Sequence, residues 1–550
     1  MNDANIRQKK LLAGVLFLTL SAVVVKVIGL LYKIPLINII GDDGMGYFNS
    51  AYTIYTLFHM IATAGLPVAV SILVAENLAQ GKSGKARRIL RITMLLFLGI
   101  GSVGSAIMFF GSRGLASAIG NSPARHAIAL MAPVLFFVCL SSAMRGYFQG
   151  RQNMTPTAVS GVIEAGGKLV FGIAFAVWAN SRGYHIAVVA AYTILGITIS
   201  SALGFLYLWA YAVISNRKEG RGAPAGVKGQ CCKHFHSGCE HTDDSESNRS
   251  ILRRLVKIAI PITLSASVLS LTNIIDLAIV MRRLQSIGYS EAMANQLYGN
   301  YTGLAVPLFN LPPVLIYPIA FSIVPYISAA LSRGDRNTTR NAISNAIKSA
   351  AMIGLPASIG LSVLALPILT LLFDDDSAMA AAPLLAILGM AIFFISISAV
   401  TTAILQACGK EKLPIISIVA GAVVKLLSSY ILIGTPGIGI VGTPIGTLLC
   451  YITTAGLNMY FVVRHTKVMP DLRKAFVRPL IAASVCGAAA YLTNRGLIAV
   501  MDFRAAVLVA IAVAAVVYVA MLLLLKAVTQ QDLALLLGEK RAGKLKLMGE

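Results

Sequence analysis

The chain has 550 residues, of which 57% are hydrophobic and 12% charged, with 46 Lys and Arg against 22 Asp and Glu. A soluble protein of this size carries about twice that share of charge, so a soluble globular domain is excluded. The basic excess sits in short segments between long apolar runs, which argues against a nucleic-acid surface and for a polytopic membrane protein.

An apolar run of ~20 residues is long enough to cross the ~30 Å hydrocarbon core as a helix. Fourteen such spans are expected, at 11–38, 47–76, 88–111, 126–149, 154–179, 184–213, 252–281, 300–331, 341–372, 380–408, 412–434, 439–463, 474–494 and 503–527. The first follows Arg7, Lys9 and Lys10 and lacks a small-residue cleavage site, so it reads as a retained span rather than a signal peptide. It carries Lys26 deep inside and Lys33 nearer its outer end, just before Pro35. The second span has Tyr47, Phe48, Tyr52 and Tyr55 at its outer end, where an interfacial aromatic belt is the default expectation. His59 lies near its middle, a core histidine or a proton carrier, and Glu76 ends it beside basic residues, a local ion-pair partner.

Arg145 and Arg151 flank the turn between the fourth and fifth spans; loop charge on one side of the membrane explains both, and Arg145 is also a candidate cavity residue. Glu164 stands one turn before Lys168 in the fifth span, the favourable order for an i,i+4 pair. The segment 214–250 reads as a disordered linker. Its CCKHFHSGCEH stretch, with Cys231, Cys232 and Cys239, matches no standard zinc spacing, and no metal site is assigned. Asp276 in the seventh span is a possible partner for Lys26. Lys348 lies in the ninth span and Lys425 in the eleventh. Cys139, Cys408, Cys450 and Cys486 lie in or beside apolar runs and read as packing residues.

With the N-terminus taken as cytoplasmic, 34 of the 46 Lys and Arg fall in inside segments, seven in outside segments and five within spans. That asymmetry predicts both termini inside. A repeat at an offset of 257 positions lays FQGRQNMTPTAVSGVIEAGGKLV (148–170) over LQACGKEKLPIISIVAGAVVKLL (405–427), matching Gln149 to Gln406, Ser160 to Ser417 and Lys168 to Lys425. Two parallel six-span lobes are therefore expected, 1–213 and 251–465, joined by the 214–250 linker. Spans 13 and 14 (466–530) and a basic cytoplasmic tail (531–550) stand outside the repeat.

A lysine at mid-bilayer costs about 2.5–3.5 kcal/mol on insertion scales, so it faces protein or a water-filled cavity. Lys168 lies roughly 21 Å into its span and Lys425 roughly 18–20 Å into its own, at or just beyond the midplane. The bland reading has Glu164 pairing Lys168, Asp276 pairing Lys26, and Lys33 and Lys348 snorkelling to an interface. The functional reading has a cationic surplus lining a cavity between the halves, which implies an anionic cargo. No P-loop, HExxH, nucleophile elbow or Rossmann fingerprint occurs, so the chemistry is binding rather than bond-making, and no cofactor is called for.

KVIGLLYKIPLINIIGDDGMGYFNSAYTIY (26–55) and RGYFQGRQNMTPTAVSGVIEAGGKLV (145–170) resemble the lipid-linked oligosaccharide flippases of the multidrug/oligosaccharidyl-lipid/polysaccharide superfamily. The nearest branch is the stage V sporulation protein B and MurJ-type lipid II flippase group. The resemblance covers about residues 10–530 and implies an all-α, fourteen-helix, V-shaped membrane protein of two six-helix lobes, with the last two helices forming a lipid-tail groove. It implies that Lys26, Lys33 and the cavity lysines Lys168 and Lys425 bind a diphosphate. In place of an arginine that relatives carry in helix 2, the nearest polar residue here is His59.

The expected function is flipping of an undecaprenyl-diphosphate-linked cell-wall precursor, foremost lipid II, across a bacterial plasma membrane by alternating access. The partners implied are that lipid-linked sugar diphosphate, membrane lipids and other wall-synthesis proteins. Whether an ion is coupled stays open. The alternatives are a cation-coupled multidrug exporter of the same superfamily, which expects twelve spans and an acidic ion site, and a non-transporting scaffold, which has no need of deep paired lysines.

Overall fold

The computed structural model describes residues 3–80, 82–221, 247–314, 336–468 and 476–525, together with 316, 320, 324 and 327. Among them there is no strand. Among the described residues ten helices are long and apolar enough to cross a membrane, the first of them, Val24–Leu78, covering two of the fourteen expected spans. The expected seventh and thirteenth spans are also helical, and the eighth is described only in part. The Cys/His stretch 231–241 and the tail 531–550 lie outside the described residues.

Packing divides the chain into two compact units, Met1–Leu277 and Ala278–Glu550. The first unit opens with α1 (Asp3–Thr63), two helical segments that meet at a kink where a loop between spans was expected. It turns the corner at Gly41, whose φ of 65° and ψ of −177° only glycine adopts without strain. There follow α2 (Leu66–Ala79), α3 (Ser83–Phe110), the short α4 (Ser112–Ile119), α5 (Arg125–Gly150), α6 (Thr155–Ser181), α7 (Ile186–Arg221) and the first part of α8 (Asn248–Ser286).

Helix α5 is the hub of this unit, packed by α1, α2, α3 and α7. Met131, Leu135 and Phe148 are almost fully buried there, as are Leu36, Ile40 and Ala51 of α1. Small residues permit the close crossings. Gly196 of α7 lies against the backbone of Gly172 on α6, and Gly146 of α5 against that of Pro67 on α2. The start of α8 is tied to the same unit: Arg254 donates to Glu76 at 2.7 Å, so the ion pair expected of Glu76 is made with a residue 178 positions away rather than with the basic residues beside it, and Arg88 donates to Asn248 at 2.7 Å.

The second unit contains the end of α8 and α9 (Glu291–Gly299), which runs through a π-turn, Asn300–Ala305, into α10 (Val306–Phe309). Then come α11 (Arg336–Val363), α12 (Ala365–Leu372), α13 (Asp375–Ala407), α14 (Lys412–Ile433), α15 (Gly442–Thr466), α16 (Arg478–Leu497) and α17 (Phe503–Leu524). Its core gathers Ile347, Ala351, Val400, Ile404 and Leu405, with Val462 of α15 and Ala483 of α16. Arg283, ending α8, donates to the Tyr430 carbonyl of α14 at 3.1 Å while its guanidinium lies over the Tyr430 ring. The last helices are docked by a Tyr518 hydroxyl that donates to the Met352 carbonyl at 2.6 Å. Their other faces leave Leu492, Leu508 and Val516 well exposed.

The sequence repeat is visible as repeated geometry. Helix α5 ends at Gly150 and α13 at Ala407; α6 starts at Thr155 and α14 at Lys412, so both pairs keep the 257-residue offset. Both turns pass through a left-handed residue, Gln152 (φ 57°) and Gly409 (φ 70°). The closing bonds also match: Asn153 N–H donates to Phe148 C=O at 3.0 Å, and Lys410 N–H to Leu405 C=O at 2.9 Å. This is the same Schellman closure of a helix C-terminus, made twice.

Candidate cation site of the first unit

Three helices of the first unit bring charge together. The N-terminal half of α1 supplies Lys26 and Lys33, seven residues apart and so about two turns along one face. Its C-terminal half supplies Tyr52, Tyr55 and His59; α5 supplies Arg145 and α6 supplies Ser160, Glu164 and Lys168.

Lys168 is not held by Glu164. Its Nζ lies 4.9 Å from the centre of the Tyr32 ring and 5.4 Å from that of Tyr52, so two aromatic faces flank the ammonium. Such faces stabilise a cation without neutralising it. Among the described residues Lys168 makes no ion pair. Tyr32 is positioned by a close approach to Gly172 of α6, where a Cβ would stand 2.8 Å from its ring. Lys33 is half-buried and within electrostatic reach of Lys168.

Glu164 instead accepts from Arg145. The guanidinium Nη2 lies 2.5 Å from Glu164 Oε1, and Nε donates to Ser160 Oγ at 3.2 Å. This corrects the i,i+4 pairing expected of Glu164 with Lys168: a guanidinium from a neighbouring helix reaches the carboxylate directly. It also corrects the loop-charge reading of Arg145, which points onto α6, whereas Arg151 at the turn packs on Tyr147. Lys26 is exposed and Asp276 is buried, and the two form no ion pair. The expected partnership between them is therefore absent.

The aromatic belt expected at the head of the second span is mostly interior. Tyr47, Phe48 and Tyr55 are buried, because the bend at Gly41 turns that segment into the bundle; Tyr52 alone keeps 38% exposure. The rings run in sequence from Phe48 to Tyr52, Tyr55 and His59, with Tyr55 Oη 3.3 Å from His59 Nδ1. Sequence reasoning missed Tyr32 and Tyr52 as neighbours of Lys168. Helix spacing relates residues on one helix, and these contacts cross between helices.

Lys425 belongs to the second unit, half-buried on α14, where Gly446 of α15 packs close to its carbonyl. Lys348 is half-buried on α11. No group of three or more metal-ligating side chains occurs among the described residues.

The model of the polysaccharide biosynthesis protein family matches residues 11–331, and the MatE model matches residues 301–431. The lipid II flippase MurJ of Bacillus subtilis (strain 168) is 26% identical over 497 residues, which are 87% of this chain and 88% of that protein. Stage V sporulation protein B of the same organism is 24% identical over 463 residues, 84% of each chain. Among solved structures, lipid II flippase MurJ in its inward closed conformation matches with a TM-score of 0.64 at 16% identity, covering 92% of this chain and 98% of that one; the likeness is one of fold. A bundle of long apolar helices agrees with these matches. The chain belongs to the polysaccharide biosynthesis protein family, within the multidrug/oligosaccharidyl-lipid/polysaccharide superfamily of membrane transporters and flippases.

Proposed function

We propose that the protein flips an undecaprenyl-diphosphate-linked cell-wall precursor, foremost lipid II, from the inner to the outer leaflet. The observation that carries this reading is Lys168, set between Tyr32 and Tyr52, while Glu164, one turn before it on the same helix, is taken up by Arg145. An ammonium flanked by aromatic faces, with a guanidinium on the neighbouring helix, suits a diphosphate. Moving its negative charge outward against an inside-negative potential gains about 2.3 kcal/mol per charge per 100 mV, so the potential can drive transport. In this reading both termini are cytoplasmic, and the apolar outer faces of α16 and α17 receive the lipid tail. Lys26 would add a further cation on α1.

The match of residues 301–431 to the MatE model favours a second reading, a cation-coupled multidrug exporter. The charge of the first unit weighs against it, because that reading expects an acidic ion site in the N-terminal half, where Lys168 stands between aromatic rings and Glu164 is taken up by Arg145. The test is depletion of the protein in its own cells with metabolic labelling of lipid-linked precursors. Accumulation of lipid II on the cytoplasmic leaflet supports the proposal, and unchanged precursor pools with altered drug efflux would replace it by the exporter reading.

A further inference from the structure

The Arg145–Glu164 pair lies beside the lysine cluster and is not needed to neutralise it. Glu164 precedes Lys168 by one turn of α6, about 6 Å along the helix axis. Arg145 and Lys168 thus offer two neighbouring cations, and a carboxylate covers the one on Arg145. A guanidinium binds carboxylate and phosphate oxygens in the same fork geometry, so Glu164 occupies the position on Arg145 that a phosphate would take. The pair is not sealed in: the Arg145 and Glu164 side chains keep 23% and 21% exposure, enough for an arriving anion to reach them.

The far side of Glu164 is set by α7. A Cβ on the buried Gly204 would stand 2.6 Å from both Cγ and Oε1 of Glu164, so the absence of a side chain there lets the carboxylate lie where it meets Arg145. The Ser160 hydroxyl, fully buried, holds Arg145 Nε and so keeps the guanidinium aimed when the carboxylate leaves.

We propose that Glu164 is an internal competitor for the cargo's phosphate. This rests on the flippase reading above. When a diphosphate settles on Lys168, one of its phosphates displaces the Glu164 carboxylate from Arg145; when the cargo departs, the carboxylate returns. The exchange weakens binding of the waiting cargo and speeds its release, which a carrier needs more than tight binding. Glu164 is in this sense a residue that sets turnover rather than one that holds the substrate.

The test uses the full-length protein in lipid nanodiscs with undecaprenyl diphosphate as the binding probe, and in proteoliposomes with lipid II to read flipping. E164Q is expected to bind the probe about tenfold tighter, the scale of one charge-assisted hydrogen bond, and to flip more slowly at saturation. G204A leaves the charge in place but pushes the flexible carboxylate off Arg145, and is expected to move both readouts the same way. R145Q combined with E164Q should lose the gain in affinity. Unchanged or weaker binding in folded E164Q and G204A, with K168Q still impaired, overturns the inference and leaves the flippase reading intact. Unchanged binding in both K33Q and K168Q overturns the flippase reading itself.

Discussion

Arg145 and Glu164, on neighbouring helices, meet at 2.5 Å, and this contact removes from Lys168 the carboxylate that stands one turn before it on the same helix. The consequences for Lys168 and for the pair are separable. The two aromatic rings hold the lysine, and the arginine holds the acid.

Substitution of Lys168 should therefore cost function more than stability. K168Q strands no carboxylate and loses only cation–π contacts worth about 0.5–1 kcal/mol each at accessible sites. Expected outcomes are near-native thermal stability, loss of complementation in depleted cells, partial function for K168R and none for K168E. The combination E164Q with K168Q should fail to restore function; restoration would mean that the lysine and the acid serve each other after all.

Substitution of Arg145 should cost stability as well as function. R145Q leaves the Glu164 carboxylate partly buried without its guanidinium, at a cost of about 2 kcal/mol. A lowered Tm for R145Q that recovers in R145Q combined with E164Q is the expected pattern in detergent-purified protein. Equal destabilisation in the single and double variants would remove the pair as a stabilising contact.

At Gly41, an added Cβ meets no neighbour within 4 Å, so space is no obstacle there. Its backbone is the obstacle, because φ 65° with ψ −177° is a glycine region, and another residue there costs about 1–3 kcal/mol. G41A should lower Tm and weaken complementation, whereas G29A, also in open space on α1 but without a positive φ, should do neither.

Tyr518 docks the last helix through a single hydrogen bond to the Met352 carbonyl, 166 residues away. Y518F keeps the packing and should cost about 1 kcal/mol. Truncation after about residue 470 also uncovers Ala482 and Ala483's partners on α11, and should abolish flipping even where inserted protein is recovered. Full transport by that truncation would remove any role for α16 and α17 in handling the lipid tail.

Topology is tested independently of chemistry. The distribution of Lys and Arg expects residues 214–250 inside and the FDDD segment 373–376 outside. A membrane-impermeant thiol reagent should leave Cys231, Cys232 and Cys239 unlabelled in intact cells and should label a cysteine placed at Ser377. The reverse pattern would invert the orientation and with it the direction of flipping.

The sequence by itself determined the helices and their recurrence. Apolar length sets a membrane helix, and a 257-residue offset read from Gln149 and Gln406 carried through to helix ends at Gly150 and Ala407 and to matching left-handed turns at Gln152 and Gly409. These are properties of one stretch of chain, settled by its own residues. What the charged side chains touch was a different matter. Spacing along α6 offered Glu164 to Lys168, and only the packing of α5 and α1 against α6 brought Arg145 to the acid and Tyr32 and Tyr52 to the lysine. Partners on different helices depend on how each helix is rotated about its axis and how closely it crosses its neighbour. Small residues such as Gly172, Gly196 and Gly204 govern those crossings, and their effect exists only in the assembled bundle.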